Sequence, residues 1–168
     1  MKDATFIHPG DRGERCIKRR PGTTFDWPDD YEGQTIPSSS LWATAIDMGI
    51  FAQTFLNGGS YGDFRLLSPA TVAAMTRNQI PGIPREMSNG TVVPPLGLGW
   101  FILDQVRLHN TPTLWSPQSY GHAGGSGAFL WVDPVYELVG VFFFTKIRED
   151  VWPLDLFVDA LMGAIVEK

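Results

Sequence analysis

The chain has 168 residues, of which 43% are hydrophobic and 18% are charged, and its formal net charge is -5. This length suits one domain with a sizeable core, and the composition excludes global disorder. The acidic balance and the lack of a long basic stripe exclude nucleic acid as an expected partner. A single cysteine excludes an intrachain disulfide, and three scattered histidines predict no metal site.

The N-terminal stretch, residues 1–37, shows little periodicity because proline and glycine interrupt it repeatedly. We therefore predict an irregular excursion over 1–37, followed by helices and strands over 38–168. Residues 1–10 lack the apolar core of a signal peptide, so we expect a cytoplasmic protein if Met1 is the true start. No run reaches the roughly 20 apolar residues of a membrane helix, so no membrane span is predicted.

Two helices are predicted in the first half of the chain. Thr44 and Asp47 resemble a capping box, and the glycine pair at 58–59 ends the helix that follows. Apolar residues at helical spacing are expected on its buried face: Ile46, Ile50, Phe51 and Phe55. A second, short helix is predicted from Ser68 as its N-cap to about residue 78.

The second half is predicted to form a sheet. Residues 98–103 have the composition of a strand, and 129–132 and 138–145 are apolar runs joined by a turn that begins at Asp133. These two runs are therefore predicted to form a β-hairpin. Apart from Gly140, the centre of the second run is apolar, which is typical of a strand covered on both faces.

A last helix is predicted near the C-terminus. Its apolar face consists of Leu154, Phe157, Val158, Leu161 and Ile165. We therefore predict a mixed α/β fold, in which a mainly antiparallel sheet is flanked by helices and backed by this last helix.

Residues 120–127 combine glycines with a histidine at the head of a predicted strand. Glycine removes the side chain from backbone that another group approaches closely, and exposed strand N–H groups can bind a developing oxyanion. His122 at this position can point into a cleft. The alternative interpretation is a strand-end histidine that is hydrogen-bonded to a backbone carbonyl.

Several segments, in order, resemble the C-terminal part of the serine β-lactamase, penicillin-binding protein and related esterase superfamily. The segments that carry the resemblance are 1–6, 41–51, 56–59, 66–72, 97–100, 121–125, 131–134 and 139–142. Each motif is short, but the ordered set covers nearly the whole chain. The resemblance implies that 1–168 is the C-terminal portion of a single β-lactamase/transpeptidase-like domain, incomplete as it stands.

The run His122-Ala123-Gly124 is similar to the superfamily's Lys-Thr-Gly or His-x-Gly motif. The resemblance implies catalytic roles for His122, which would assist substrate binding and the proton network, and for Gly125, whose N–H would stabilise the oxyanion. It implies substrate binding by three neighbours: Tyr120, Ala123 and Gly124. Two aromatic residues are further candidates for pocket walls: Trp100 and Phe129. The implied substrate is a small ester or amide, and the resemblance implies neither a metal nor an organic cofactor.

The superfamily's nucleophile motif is missing from the sequence. Ser-x-x-Lys places a lysine beside the serine that it activates, yet none of the lysines, at 2, 18, 146 and 168, has a serine three positions earlier. The second motif, Tyr-x-Asn or Ser-x-Asn, is absent as well. We therefore expect this chain to be inactive alone and the acylated serine to lie outside it. The alternative is a non-catalytic remnant or binding module, whose exposed edges would favour self-association.

A different hydrolase class is suggested by residues 58–62, which match Gly-x-Ser-x-Gly around Ser60. The nucleophile elbow of an α/β-hydrolase needs a strand before the serine and a helix after it. Here a predicted helix comes before the serine. The sequence therefore favours a helix end and turn at this point, with a Ser60 esterase as the weaker alternative.

Overall fold

The computed structural model describes residues 1–6, 41–83, 95–103, 114–124, 127–144 and 152–165. The predicted excursion over 1–37 therefore lies outside the described residues, except for 1–6. The elements in chain order are α1 (Ala45–Leu56), β1 (Ser60–Tyr61), β2 (Phe64–Arg65), α2 (Pro69–Met75), β3 (Phe101–Ile102), β4 (Tyr120–Ala123), β5 (Phe129–Asp133), β6 (Leu138–Phe142) and α3 (Trp152–Gly163). None of the helices in these ranges combines the length and apolarity needed to cross a membrane.

The main sheet is antiparallel, and its strand order is β3-β4-β5-β6. The register pairs Val132 with both Tyr120 and Val139, and it pairs Asp133 with Leu138 at the end of the β5–β6 hairpin. The predicted hairpin and the mixed α/β fold are confirmed. The strands β1 and β2 form a separate, two-stranded hairpin.

The sheet lies between two layers of helices because its side chains alternate between two apolar faces. On one face, Ala52 and Phe55 of α1 and Val72 of α2 pack against a set of sheet-side residues: Trp100, Ile102, Tyr120, Leu130 and Val132. On the other face, Val158 and Met162 of α3 pack against a second set: Leu103, Phe129 and Trp131. The predicted backing of the sheet by the C-terminal helix is confirmed.

The start of α1 follows the predicted capping box in one of its two arms. The Thr44 hydroxyl accepts a hydrogen bond from the Asp47 N–H at 3.1 Å, as an N-cap does. The Asp47 carboxylate also accepts hydrogen bonds from outside the helix cap. Its two oxygens accept the backbone N–H groups of Lys2, at 2.8 Å, and Asp3, at 3.1 Å. The carboxylate therefore ties residues 1–6 to the helix.

The buried Asp47 carboxylate is stabilised in its charged form. Burial raises the pKa of this carboxyl, but hydrogen bonds from the Asp3 N–H, the Thr44 hydroxyl and the Lys2 N–H outweigh burial. The pKa of Asp47 is therefore held below its usual value. A second link, the antiparallel bridge between Thr5 and Trp42, fastens the same segment with two backbone hydrogen bonds of 2.8 Å.

The predicted buried face of α1 is only partly right. Phe55 is buried and Phe51 packs against the core, whereas Ile46 is 77% exposed. At 100° per residue, nine positions bring Ile46 half a turn round the helix from Phe55, so the two cannot share a face. The inward positions near the helix start go to Asp47 and Met48 instead.

The remaining boundaries differ from prediction at their ends. Ser68 caps α2 as predicted, by accepting the Thr71 N–H at 3.1 Å, but the helix ends at Met75. The strand predicted over 98–103 is reduced to β3, because Gly99 adopts φ 78° and the Gly97 N–H turns back to the Trp100 carbonyl. Both faces of β6 pack against a helix layer, which agrees with the two-faced burial predicted for it.

Candidate active site

The strand β4 is paired differently along its two edges. Strand β5 pairs with all four residues of β4, from Tyr120 opposite Val132 to Ala123 opposite Phe129. Strand β3 pairs only with the first half, Tyr120 and Gly121. In the part of the chain that the structure describes, no strand pairs with His122 or Ala123 on the β3 side. The second half of β4 therefore presents an open sheet edge.

The direction of the backbone N–H groups follows from the flanking hydrogen bonds. The Leu103 N–H donates to the Ser119 carbonyl at 2.8 Å on the β3 side, and the Gly124 N–H donates to the Ala128 carbonyl at 2.7 Å on the β5 side. Strand groups alternate in direction with a period of two residues. The Ala123 N–H therefore points towards the open edge, where it can meet an acceptor.

His122 is exposed at the open edge of β4, opposite Leu130 in the register. The imidazole stacks on the Phe101 ring, with centroids 4.6 Å apart and planes inclined by 9°. The imidazole is thus held by a neighbouring ring and remains accessible to solvent. The alternative interpretation, in which a backbone carbonyl holds this histidine, is not the contact that the structure gives.

Tyr120 and the two candidate pocket walls lie in the core. Tyr120 is 5% exposed and meets the Trp100 indole edge to face at 5.1 Å, and Trp100 in turn packs on Phe55 at 4.8 Å. Burial raises the pKa of the Tyr120 phenol above its usual range. Phe129 is buried on the opposite face, against α3. These rings support the sheet from both sides, and the substrate-binding role of Tyr120 stays a prediction.

Of the glycines in the motif, Gly121 is required by the packing of the sheet. A Cβ at Gly121 would lie 2.6 Å from the Leu130 carbonyl oxygen and 3.1 Å from the Trp131 Cβ, so glycine here lets β4 approach β5. Gly124 is exposed beyond the end of β4. The predicted oxyanion donor, Gly125, lies outside the described residues together with Ser126.

A buried carboxylate next to the candidate site was missed in the sequence. Asp133 is 0% exposed and accepts two hydrogen bonds from Ser116, through its N–H and its hydroxyl, both at 2.7 Å. The Ser119 hydroxyl donates at 2.8 Å, and the N–H groups of Val135 and Tyr136 donate at 3.0 and 3.1 Å. The Asp-Pro turn signal indicated only the last two contacts, because the serines lie 14 and 17 residues away in sequence.

The Asp133 carboxylate has no cationic partner among these contacts and depends on hydrogen bonds for its charge. Burial raises the pKa of this carboxyl, whereas the bonds from Ser116, Ser119 and the Tyr136 N–H lower it. The hydrogen bonds prevail, and the pKa lies below its usual value. Asp133 is therefore ionised at neutral pH, at the base of the loop that leads into β4.

Comparison with known proteins identifies the family of this fold and site. The family profile described as Beta-lactamase matches residues 1–157. The chain belongs to the β-lactamase family. The predicted resemblance to the serine β-lactamase superfamily is thereby confirmed, and with it the serine hydrolase class of the family.

Curated relatives of this β-lactamase family chain include proteins provisionally named D-alanyl-D-alanine carboxypeptidases. One from Salmonella schwarzengrund (strain CVM19633) is 32% identical over 142 residues, which cover 77% of this chain and 30% of that protein. Another from Salmonella enteritidis PT4 is 36% identical over 100 residues, which cover 58% of this chain and 20% of that protein. The chain thus spans less than a third of the length of these relatives.

Solved structures agree with the family. A β-lactamase from Mycobacterium bovis matches with a TM-score of 0.59 and 28% identity, covering 73% of this chain and 46% of that one. A penicillin-binding protein homologue from Caulobacter crescentus matches with a TM-score of 0.67 and 18% identity, covering 94% of this chain and 47% of that one. The second likeness shows the fold alone. The predicted β-lactamase/transpeptidase-like fold is confirmed.

The alternative nucleophile, Ser60, lies in a different setting from a nucleophile elbow. It begins β1 directly after the end of α1, and β1 pairs with β2 in a short hairpin. The Ser60 hydroxyl donates to the Asn57 carbonyl at 3.5 Å. The strand–turn–helix order that an elbow requires is therefore not found around this serine.

Among the residues that the structure describes, no group of three or more His, Cys, Asp or Glu side chains is placed to hold a metal ion. On α3, Asp155 and Asp159 lie one helical turn apart, and burial together with the charge of Asp159 raises the pKa of Asp155 to about 6. This pair is a feature of the outer helix layer and not of the open edge.

Proposed function

We propose that this chain is the C-terminal portion of a β-lactamase-like serine hydrolase domain and binds an ester or amide substrate along the open edge of β4. The observation that carries the proposal is the half-paired strand. Its first half is fastened by β3, and its second half leaves His122 and Ala123 accessible at the sheet edge. A substrate carbonyl or amide group can complete the missing strand pairing there.

The proposed roles follow from the backbone directions. The Ala123 N–H and the exposed Gly124 backbone receive the substrate, and Tyr120 anchors the strand from the core. The resemblance of residues 121–125 to the superfamily motif implies that the N–H of Gly125 also takes part. That N–H is the proposed donor to the oxyanion. His122 is proposed to assist binding and proton movement, held in place by the Phe101 ring.

The proposed reaction passes through an acyl-serine. The serine oxygen attacks the substrate carbonyl carbon, and the proton that it loses passes to the departing alcohol or amine as the bond to that group breaks. Water then attacks the acyl carbon, the bond from that carbon to the serine oxygen breaks, and a proton from the water returns to the serine oxygen as the acid is released. Negative charge on the carbonyl oxygen develops in both steps, and the N–H of Gly125 stabilises it.

The serine and its lysine are proposed to come from polypeptide outside this chain, which is therefore inactive alone. The absence of Ser-x-x-Lys and Tyr-x-Asn from the 168 residues supports this, as does the greater length of the curated relatives. The names of the relatives support a D-alanyl peptide as substrate, and the name of the Mycobacterium bovis protein supports a β-lactam. Both present an amide carbonyl to the same edge.

The experiment begins with the DNA upstream of the Met1 codon. We expect an in-frame Ser-x-x-Lys there, and a chain extended to include it should be labelled covalently by a fluorescent penicillin or a fluorophosphonate. The 168-residue chain is the matched control and should not be labelled. An upstream region without the motif, or labelling of the short chain that is lost in Ser60→Ala, would contradict the proposal.

A second candidate, a non-catalytic chain that associates through apolar surface, is favoured by one region. Residues 1–6 and α1 enclose an apolar hollow of about 320 Å³ lined by Met1, Ala4, Thr5, Phe6, Leu41, Met48 and Phe51. Phe6, one of the lining residues, is 46% exposed. If association were the function, the 168-residue chain would form a stable dimer in light scattering that Phe6→Lys converts to monomer.

A further inference from the structure

The start of β4 is held by hydrogen bonds on two sides. One buried residue, Ser119, connects it both to the end of β3 and to the β5–β6 hairpin. Ser119 immediately precedes β4, and its carbonyl accepts the Leu103 N–H next to β3. The hydroxyl of the same serine donates to Asp133, the last residue of β5. One residue therefore joins the entry of β4 both to β3 and to the end of the hairpin strand.

We propose that Asp133 is a positioning residue that sets where the open edge of β4, with His122, lies relative to β3. The inference rests on the proposed function, because only that function makes the edge a substrate-binding site. The contacts that position the edge all lie within this chain. Asp133 touches no substrate group in the proposed reaction. It acts through Ser116 and Ser119, the loop residues that deliver the chain into β4.

The two carboxylate oxygens of Asp133 accept hydrogen bonds from different segments of the chain. Oδ1 accepts the N–H groups of Val135 and Tyr136 and so shapes the β5–β6 turn, besides accepting the Ser116 hydroxyl. Oδ2 accepts only from the loop before β4, namely the Ser116 N–H at 2.7 Å and the Ser119 hydroxyl at 2.8 Å. The turn contacts are local, whereas the Oδ2 contacts connect segments that are distant in sequence.

This division makes a conservative substitution informative. Asn at position 133 keeps an oxygen for the turn but places an NH2 group where Oδ2 stands, and an NH2 group cannot accept the two loop hydrogen bonds. A buried carboxylate that accepts five hydrogen bonds without a cation is expensive to desolvate, since charged groups lose strong hydration on burial. The turn needs only the bonds from the Val135 and Tyr136 N–H groups, and the side-chain oxygen of an asparagine can accept both. The charge of Asp133 is therefore not required by the turn.

The test measures amide hydrogen exchange and the His122 ring resonances of the 168-residue chain by NMR. In Asp133→Asn, we expect the Ser116 and Leu103 amides to exchange about tenfold faster, because loop hydrogen bonds are lost. The amides of Val135 and Tyr136 should stay protected. The ring signals of His122, identified by their loss of stacking shift in Phe101→Leu, should move as the edge shifts against Phe101.

Two further variants keep the test decisive. Ser119→Ala removes one Oδ2 hydrogen bond without touching the turn, and it should produce the same changes to a smaller extent even if Asp133→Asn does not fold. Ser68→Ala, which removes the cap of α2, is the matched control for a general loss of stability. It should leave the His122 ring signals where they are.

The inference is overturned if the His122 signals stay unchanged while the loop amides are released, because the edge would then be placed by other contacts. It is equally overturned if the turn amides and the loop amides exchange faster by the same factor, because a general loss of stability would then explain the release of the loop. None of these readouts uses a substrate. The positioning role can therefore fail while the hydrolase proposal stands, and the reverse also holds.

Discussion

The indole of Trp131 lies directly over the backbone of Gly140, its partner across the β5–β6 hairpin. A Cβ at Gly140 would fall well inside van der Waals contact with three atoms of the ring. Trp131 is 0% exposed and packs against Val158 and Met162 of α3. The one glycine in the apolar run of β6 therefore leaves the space that this indole occupies.

Gly140→Ala is expected to destabilise the protein. The added methyl group cannot be accommodated without moving a fully buried indole, and overpacking of this kind costs about 1–3 kcal/mol of unfolding free energy. Urea unfolding followed by tryptophan fluorescence measures the change. A variant as stable as the wild type would mean that the indole does not rest on this backbone.

Gly49→Ala is the matched control for that substitution. Gly49 lies inside α1, and a Cβ there meets no atom within 4 Å. Because alanine favours a helix over glycine, this variant should gain about 0.5–1 kcal/mol of stability. A loss of stability at Gly49 would show that glycine-to-alanine changes in this chain act through something other than local packing.

Asp155 is expected to make stability fall as the pH rises through about 6. An unfolded aspartate titrates near 3.8, and burial together with the charge of Asp159 raises the pKa of folded Asp155 to about 6. The folded state thus favours the protonated carboxyl, so the contribution of Asp155 is complete below the unfolded pKa and is lost as the pH rises through the folded one.

Asp155→Asn should remove this pH dependence. The full shift would be worth about 3 kcal/mol, but the carboxyl is partly exposed and screened, so we expect a gain of about 1 kcal/mol or less at pH 7 and none at pH 3. Urea unfolding midpoints between pH 3 and pH 8 measure it, with Asp63→Asn in the exposed β1–β2 turn as control. A slope that Asp155→Asn leaves unchanged would assign the pH dependence to another group.

The Asp47 carboxylate is expected to hold residues 1–6 against α1 without deciding the stability of the whole protein. Asp47→Ala removes the acceptor for the Lys2 and Asp3 amides, and their hydrogen exchange should become at least about tenfold faster. Ser68→Ala lowers stability without touching this segment and should leave both amides slow. Equal acceleration in the two variants would mean that the segment opens only when the whole protein unfolds.

Features set by neighbouring residues could be predicted from the sequence. The Thr44 and Ser68 caps, the glycines after α1 and the β5–β6 hairpin all depend on chemistry within a few positions, and all are present. The open edge itself was anticipated from the glycine-rich motif. Within that motif, Gly121 lets β5 approach β4 closely.

Features set by distant residues could not be predicted in the same way. The helix face of Ile46 depends on which side of α1 meets the sheet, and the Asp133 contacts join positions that only the fold brings together. Two aromatic residues, Trp100 and Tyr120, are placed at a pocket by the family resemblance, and the structure buries both between α1 and the sheet. Large aromatic side chains alone do not distinguish a pocket wall from a core.

The most direct measurement of the account is the kcat/KM of His122→Ala for ester and β-lactam substrates, in the chain extended upstream to the Ser-x-x-Lys motif. If the open edge of β4 receives the substrate, kcat/KM should fall by roughly 100-fold or more, as for the loss of a group that assists proton transfer, while the unfolding midpoint stays the same. A folded variant that hydrolyses these substrates at the wild-type rate would contradict the account.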